Sequence, residues 1–324
     1  MKPNIVIVDG HNNRYVDQKL SLERSILQDE ATLSLIQTSG FEPLLDDKKV
    51  TKADILIWWY SVPLPTSMIE RLKNCRAIIR PAVGFDNIDI EAARKKNIPV
   101  ITIPDYGTEE VADHTLALIL ANNRRLFNTN RAAGDGIWNW KTIGMDTRRL
   151  RGLKAGIIGL GRIGKAVALR LKAFGICVWF YDPYEKSGLH KSLGIQESPD
   201  LETLLKQSDI LTFHVPLNSE TKYLLNSTNC HLIKEDALII NTCRGEVIEE
   251  AALTKLLQHP LIHLGLDVLE KEPHIPISLQ NNHRVLLTGH SAFYSAASLH
   301  ELKSRAILTA LQVLHQKKIK NIVN

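Results

Sequence analysis

The chain has little sulfur to work with. Its 324 residues contain four cysteines, Cys75, Cys177, Cys230 and Cys243, widely spaced and without a CxxC pair. A disulfide framework, a structural zinc site and any other metal are therefore not expected, and a reducing cytoplasm is the natural compartment. Long apolar runs are missing too: no segment approaches the length that spans a bilayer. Met1-Lys2-Pro3 leads straight into Asn4 to Val8, a short apolar run ended by Asp9, so no signal peptide is expected. There is no basic block either. The net charge is +5, and Lys and Arg are scattered among Asp and Glu without interleaved aromatics. That argues against nucleic acid as a partner and suits small anionic ligands. Arg124-Arg125 and Arg148-Arg149-Arg151 read as a solvated helix end and a solvated loop. Internal repeats and low-complexity tracts are absent, and the length suits two domains.

What is present is organised around Lys154 to Asp182. A strand, Ala155 to Ile158, enters the turn Gly159-Leu160-Gly161-Arg162-Ile163-Gly164. A helix with Ile163, Val167, Ala168 and Leu171 on one face follows, and a second strand, Cys177 to Tyr181, ends at Asp182. This is one βαβ unit with the punctuation of a dinucleotide site. Gly159 permits the tight turn, Gly161 lets backbone approach a pyrophosphate, and Gly164 allows close packing of helix on strand. The helix N-terminus offers N–H groups and positive dipole to phosphates. Asp182 is placed to accept from the ribose hydroxyls and would repel a 2'-phosphate, which favours NAD over NADP.

Around this unit strands and helices alternate. Before it, Ile5 to Val8, Ile55 to Tyr60, Ala77 to Ile79 and Val100 to Ile103 read as strands; Leu20 to Ile36, Thr66 to Leu72 and Asp89 to Lys96 read as helical. Gly107 to Leu126 reads as one long helix with Thr108 as N-cap, either a core helix or an interface; Trp138 and Trp140 follow in a connection from Gly134 to Gly144. After the unit, strands are expected at 210–214, 237–241, 263–268 and 285–288, and helices at 201–205 and 249–258. That makes six strands in the second sheet. A terminal amphipathic helix spans Ala296 to Lys318. Alternation with short links predicts parallel sheets covered by helices.

In open α/β sheets ligands sit beyond the carboxyl ends of strands. Three late strands deliver Arg244, then Asp267 with Glu272, then His290 to that edge. Together these suit reduction of a 2-keto acid. Arg244 can hold the carboxylate and polarise the carbonyl through its guanidinium fork. His290 can give and take the proton. Glu272 within reach of His290 would orient the ring and stabilise its charge, and Asp267 is placed to accept from the nicotinamide carboxamide. His114 and His214 read as structural.

These residues resemble the D-isomer-specific 2-hydroxyacid dehydrogenase family over essentially the whole chain. Val83-Gly84-Phe85-Asp86-Asn87-Ile88-Asp89 is similar to its substrate-carboxylate loop, Gly159 to Gly164 with Asp182 to its NAD fingerprint, and His214-Val215-Pro216 to its adenine-side turn. Asn241-Thr242-Cys243-Arg244-Gly245, Leu266-Asp267-Val268 with Glu272-Pro273, and Thr288-Gly289-His290 match its catalytic segments. The resemblance implies a Rossmann-type doubly wound NAD domain over 102–292 and a smaller flavodoxin-like α/β substrate domain over 1–101 and 293–324. It implies that Val83 and Gly84 bind the substrate carboxylate with Arg244, that Arg162 and Ile163 meet the pyrophosphate, Val215 the adenosine, and Thr242 with Cys243 the nicotinamide side. It also implies catalysis by Arg244, Glu272 and His290, and a homodimer through the NAD domain.

The family usually has proline where this chain has Gly289, which loosens the turn before His290. Asp105 to Glu110 and Ser291 to Ser295 look most like the branch of phosphoglycerate-dehydrogenase-like enzymes and C-terminal-binding-protein corepressors. The expected function is NAD-dependent interconversion of a D-2-hydroxy acid and its 2-keto acid; the alternative is an NAD-sensing, corepressor-like scaffold, which the end of the chain at Asn324 disfavours. A formate-dehydrogenase-like enzyme would need glutamine at Glu272. Trp59, Tyr60, Ser61, Phe293 and Tyr294 are candidates for the substrate side-chain pocket.

Overall fold

A computed structural model describes residues 2–11, 15–59, 62–143, 147–185 and 188–324. The chain divides into two compact units, Met1–Gly107 with Ser295–Asn324, and Thr108–Tyr294.

In the first unit β1 (Asn4–Gly10), α1 (Ser21–Leu27), β2 (Thr32–Thr38), α2 (Lys48–Thr51), β3 (Ile55–Trp58), α3 (Thr66–Ile69), β4 (Ala77–Arg80), α4 (Ile90–Lys95) and β5 (Val100–Thr102) follow one another. The five strands form a parallel sheet in the order β2-β1-β3-β4-β5, the flavodoxin-like order. Ile5, Val6, Ile7 and Val8 of β1 are all buried, as are all four residues of β3 and β4. Strands covered on both faces read as continuous apolar runs, which is why they were legible.

The second unit contains α5 (Thr108–Asn123), α6 (Leu126–Gly134), β6 (Lys154–Ile158), α7 (Arg162–Ala173), β7 (Cys177–Tyr181), α8 (Leu189–Leu193), β8 (Gln196–Glu197), α9 (Leu201–Gln207), β9 (Ile210–Phe213), β10 (Leu238–Asn241), α10 (Glu250–Leu256), β11 (His263–Leu266) and β12 (Val285–Leu287). Its parallel sheet runs β12-β11-β10-β9-β6-β7-β8. This is a doubly wound nucleotide fold with one extra edge strand, and the order reverses between β6 and β9. The chain then returns to the first unit through α11 (Ala296–Leu314), which opens with a Ser295–Ser298 capping box. Beyond it, Asn321, Val323 and Asn324 hydrogen-bond to β5: Thr102 N donates to Asn321 O at 3.1 Å, and Val323 N to Val100 O at 3.0 Å. The tail so covers an edge that would otherwise present unpaired backbone.

Four expectations are corrected. The stretch 20–36 is not one helix: α1 stops at Leu27, and Thr32–Thr38 pairs in register with all of β1. The sequence Thr-Leu-Ser-Leu-Ile-Gln-Thr alternates and is β-branched, a strand signal that the leucine spacing obscured. The second sheet has seven strands rather than six, because exposed Gln196-Glu197 adds an edge strand with no apolar pattern to announce it. The long helix at 107–126 ends at Asn123 and restarts at Leu126, because Arg125 adopts a left-handed backbone with φ 53°. The arginine pairs are not simply solvated. Arg125 is buried, and Arg148 donates to Asp236 at 3.0 Å and to the Asp209 carbonyl at 3.2 Å.

The break in that helix separates two characters. Helix α5 buries Val111, Ala112, Thr115, Leu116, Leu118 and Ile119 and packs against α7, β10 and β11. Helix α6 buries nothing.

One buried group in the first unit works against stability. Glu23 of α1 is 1 % exposed, and neither carboxylate oxygen has a hydrogen-bond partner among the described residues. Burial raises its pKa, opposed in part by the charge of Lys303. A carboxyl whose folded pKa is raised destabilises progressively as pH rises from the unfolded value through the folded one. Glu23→Met removes two unpaired acceptors and is expected to add about 1–3 kcal/mol in urea unfolding at about pH 8. The gain should shrink below the ordinary carboxylate range, where both states are protonated.

Candidate active site

The turn after β6 is shaped by three glycines in different surroundings. Gly159 has φ +93°, and a Cβ there would lie 2.6 Å from the His214 carbonyl oxygen. A Cβ on Gly164 would overlap the Gly159 carbonyl. Gly161, the residue preceding α7, has nothing within 4 Å of its Cβ position. Two glycines are thus filled by the protein itself, and the third faces open space at the N-terminus of a twelve-residue helix. Open space at a helix N-terminus is the kind of place that suits a phosphate group. Asp182 lies at the end of β7 and reaches back to the turn: its carboxylate accepts from Leu160 N at 2.8 Å and from Tyr184 N at 2.9 Å. Arg162 is exposed at the helix start, Ile163 and Val215 are half-buried, and Val215 Cγ1 also lies against Gly159.

His214 is held uncharged. Its Nε2 is 2.9 Å from Thr212 Oγ1, Nδ1 has no partner among the described residues, and burial pushes its pKa down to about 3.

The other candidates stand at the same carboxyl edge, further along the sheet. After β10 the turn Thr242-Cys243-Arg244 is braced by Asn241, whose side chain accepts from Cys243 N at 3.0 Å and donates to the Arg244 carbonyl at 2.9 Å. Arg244 is half-buried and donates from Nη1 to the Cys243 carbonyl at 2.8 Å. Burial pushes the Cys243 thiol up to about 11, so it stays protonated. Gly245 packs so tightly on Leu269 and Glu270 that any Cβ would overlap their peptide group. This contact fastens the arginine turn to the loop carrying Glu272.

After β12, His290 and Glu272 meet. His290 Nδ1 lies 2.8 Å from Glu272 Oε2, and Glu272 Oε1 accepts from Leu269 N at 3.1 Å. The ring is set edge-on to Phe293, with centroids 6.4 Å apart at 79°. His290 has φ +54°, an unusual backbone for a residue with a Cβ. It is held there by Asp267: His290 N donates to the Asp267 carbonyl at 2.7 Å, Ser291 N to Oδ1 at 2.9 Å and Ala292 N to Oδ2 at 2.9 Å. Gly289 itself has no neighbour near its Cβ position and is not left-handed. The Asp267 side chain is 1 % exposed and also accepts from Thr288 Oγ1 at 2.6 Å.

Val83 and Gly84 belong to the first unit, on the loop after β4. Val83 is exposed and Gly84 half-exposed. Fully buried Arg80 supports this loop: Nε donates to Asn87 Oδ1 at 3.0 Å, and Asn87 Nδ2 to the Val62 carbonyl at 3.0 Å. Of the side-chain pocket candidates, Trp59 is buried and stacks on Tyr15 at 4.8 Å, Tyr294 is exposed, and Tyr60 and Ser61 lie outside the described residues. Arg80 carried no expectation from sequence, and Asn241 and Thr288 stood in matched segments without a role of their own. Their signal was position: each stands at a strand's carboxyl end, one to three residues before a candidate site residue.

Residues 116–292 match the NAD binding domain of the D-isomer specific 2-hydroxyacid dehydrogenases. The chain belongs to that family. It is 36% identical over 265 residues to a glyoxylate reductase of Korarchaeum cryptofilum, covering 80% of this chain and 77% of that protein. It is also 36% identical over 276 residues to a glyoxylate reductase of Pyrococcus furiosus, covering 82% and 81%. The structure of a D-lactate dehydrogenase from Aquifex aeolicus, complexed with NAD and lactic acid, superposes with a TM-score of 0.85 at 28% identity, covering 97% of this chain and 96% of that one.

As a member of the family, the chain is an NAD-dependent oxidoreductase that interconverts 2-hydroxy and 2-keto acids. None of the three names is that of a phosphoglycerate dehydrogenase or a corepressor, so the finer branch and the scaffold alternative gain nothing from them. Among the described residues no helix is long and apolar enough to cross a membrane.

Asp182→Ala is expected to narrow the preference for NADH over NADPH, read as the ratio of kcat/KM values. It should also raise KM for NADH, because Leu160 N and Tyr184 N lose their acceptor. An unchanged cofactor ratio would remove Asp182 from discrimination.

Proposed function

We propose that this dehydrogenase reduces a small 2-keto acid, with His290 as the proton donor, Glu272 as its orienting partner and Arg244 as the cation for the substrate carboxylate. The observation that carries the assignment is the His290–Glu272 pair, with Nδ1 at 2.8 Å from the carboxylate. A ring whose Nδ1 is committed to a carboxylate presents Nε2 to substrate, and Nε2 can release and recover the proton as the reaction reverses.

NADH, when bound, supplies the hydride. Gly159, Gly161, Arg162, Ile163 and Gly164 hold its pyrophosphate, Asp182 and Val215 its adenosine, and Thr242, Cys243 and Asp267 its nicotinamide side. The strand order supports this division. Four interstrand spacings, about 19 Å, separate β6 from β12, which places the phosphate turn and the histidine at opposite ends of an elongated ligand. The backbone N–H groups of Val83 and Gly84 serve the substrate carboxylate. Residues 1–101 and 293–324 serve as the substrate-binding domain, and residues 102–292 as the NAD domain.

Glyoxylate is the first substrate to test, because both curated relatives described above are named for it. The test is NADH oxidation, followed by absorbance, with glyoxylate, pyruvate, hydroxypyruvate, phenylpyruvate, 4-methylthio-2-oxobutyrate and 3-phosphohydroxypyruvate. Turnover on glyoxylate or hydroxypyruvate supports the reading. Turnover confined to phenylpyruvate or the thioether acid replaces the small substrate with a bulky one.

The working form is a homodimer through the NAD domain, in the cytoplasm. What supports the dimer is an apolar surface on α6 and the segment after it: Leu126, Phe127, Ile137, Trp138 and Trp140 are all at least half exposed, Trp138 at 94 %. Sedimentation at the mass of two chains is the expected result, and a monomer at micromolar concentration would reject it. The four cysteines, all unbridged, suit a reducing compartment.

A further inference from the structure

We propose that His114, on α5, is a positioning residue for the proton-transfer histidine. The inference rests on the role given to His290 above.

Thr288 Oγ1 stands between two groups. It donates to Asp267 Oδ1 at 2.6 Å, and it lies 3.0 Å from His114 Nε2. A hydroxyl has one proton, and here Asp267 receives it; Thr288 can then only accept from the imidazole. His114 therefore carries its proton on Nε2. That N–H, 3.6 Å from Asp267 Oδ1 as well, completes a chain from α5 through Thr288 to the Asp267 carboxylate.

The carboxylate is what holds the two peptide N–H groups that follow His290, through Ser291 N and Ala292 N. Without a donor on its far side, Thr288 is free to turn its hydroxyl away, and Asp267 Oδ1 loses the bond that fixes its plane. The left-handed backbone at His290 is unfavourable for a residue with a Cβ, so it persists only while its surroundings enforce it.

Helix α5 is suited to impose such a constraint. It is seated on α7 through Arg170, which pairs with Asp113 at 2.7 Å and with Glu109. The neighbouring residue, Thr115, donates to the Val111 carbonyl at 2.8 Å and so accepts from Thr242 Oγ1 at 3.0 Å. Two adjacent residues of one helix thus brace two loops at the carboxyl edge, that of Thr242 and that of His290.

The experiment compares His114→Ala, His114→Gln, Thr288→Val and Thr288→Ser with the parent enzyme. His114→Ala and Thr288→Val should lower kcat about 10- to 100-fold, as expected when a reacting group is displaced by a fraction of an ångström to an ångström, with a smaller change in KM for NADH. His114→Gln, whose amide can donate to Thr288, and Thr288→Ser should recover most of the loss. The double variant His114→Ala/Thr288→Val should be no slower than Thr288→Val, because both break one chain.

Hydrogen exchange of the segment 288–292 provides a readout independent of turnover. Exchange should quicken in His114→Ala and Thr288→Val and return towards the parent in the two conservative variants. If the parent reduces no 2-keto acid, the functional reading fails while exchange still tests the linkage. A His114→Ala enzyme with parental kcat and parental exchange, or a glutamine variant no better than alanine, would overturn the proposal.

Discussion

His290→Gln is expected to lower kcat by a factor of about 100 to 10,000, the range for a lost general acid, while KM for NADH changes little. Glutamine keeps a polar side chain of similar reach but cannot exchange a proton. The substitution leaves the Asp267 bonds to His290 N, Ser291 N and Ala292 N in place, because all three come from backbone. The loss should therefore fall on chemistry rather than on loop structure. Single-turnover oxidation of prebound NADH isolates that step. A variant with near-parental turnover would remove His290 from proton transfer, and a variant that no longer binds NADH would show that the loop had moved.

Gly245→Ala should have the other large effect, by a different route. The added methyl meets the peptide between Leu269 and Glu270, which is backbone and has no rotamer to yield. Overpacking typically costs about 1–3 kcal/mol, and a rigid partner puts this site at or beyond the top of that range. Because the contact joins the Arg244 turn to the Glu272 loop, any accommodation shifts Arg244 relative to Glu272, the partner of His290. Thermal unfolding and kcat should fall together. Gly161→Ala is the contrast. Apart from its chain neighbours nothing lies within 4 Å of its added methyl, so the melting temperature should hold, and NADH binding should weaken on the proposal that this space takes the pyrophosphate. If Gly245→Ala melts like the parent, the close packing does not govern that turn. If Gly161→Ala binds NADH normally, the pyrophosphate lies elsewhere.

The phosphate turn was legible in residue order alone because each glycine there answers a local demand. The positive φ of Gly159 and the contact of Gly164 with Gly159 lie within a few residues of chain. The buried strands were legible for a similar reason: a strand covered on both faces is apolar over most of its length, as β9, β10 and β11 are apart from Thr212, Asn241 and His263. Two of the four edge strands were not. Strand β2 is only partly buried and owes its conformation to seven paired residues of β1, and β8 is two exposed residues that pair with β7. The alternation in β2 was masked by helix-like leucine spacing and β8 has no apolar pattern, so pairing with β1 and β7 decided both.

The sequence by itself determined which chemistry is present and at which edge of the sheet it emerges: an arginine after β10, carboxylates after β11 and a histidine after β12. It could do so because a strand and the loop that follows it are contiguous. Only the tertiary structure decided how the polar atoms are shared. Glu272 turns to His290, the Asp267 carboxylate is largely occupied in holding the loop, and His114 is recruited from 174 residues away to set the Thr288 hydroxyl. A hydrogen bond is a contest among donors and acceptors within about 3 Å, and which groups compete is settled by packing rather than by order along the chain.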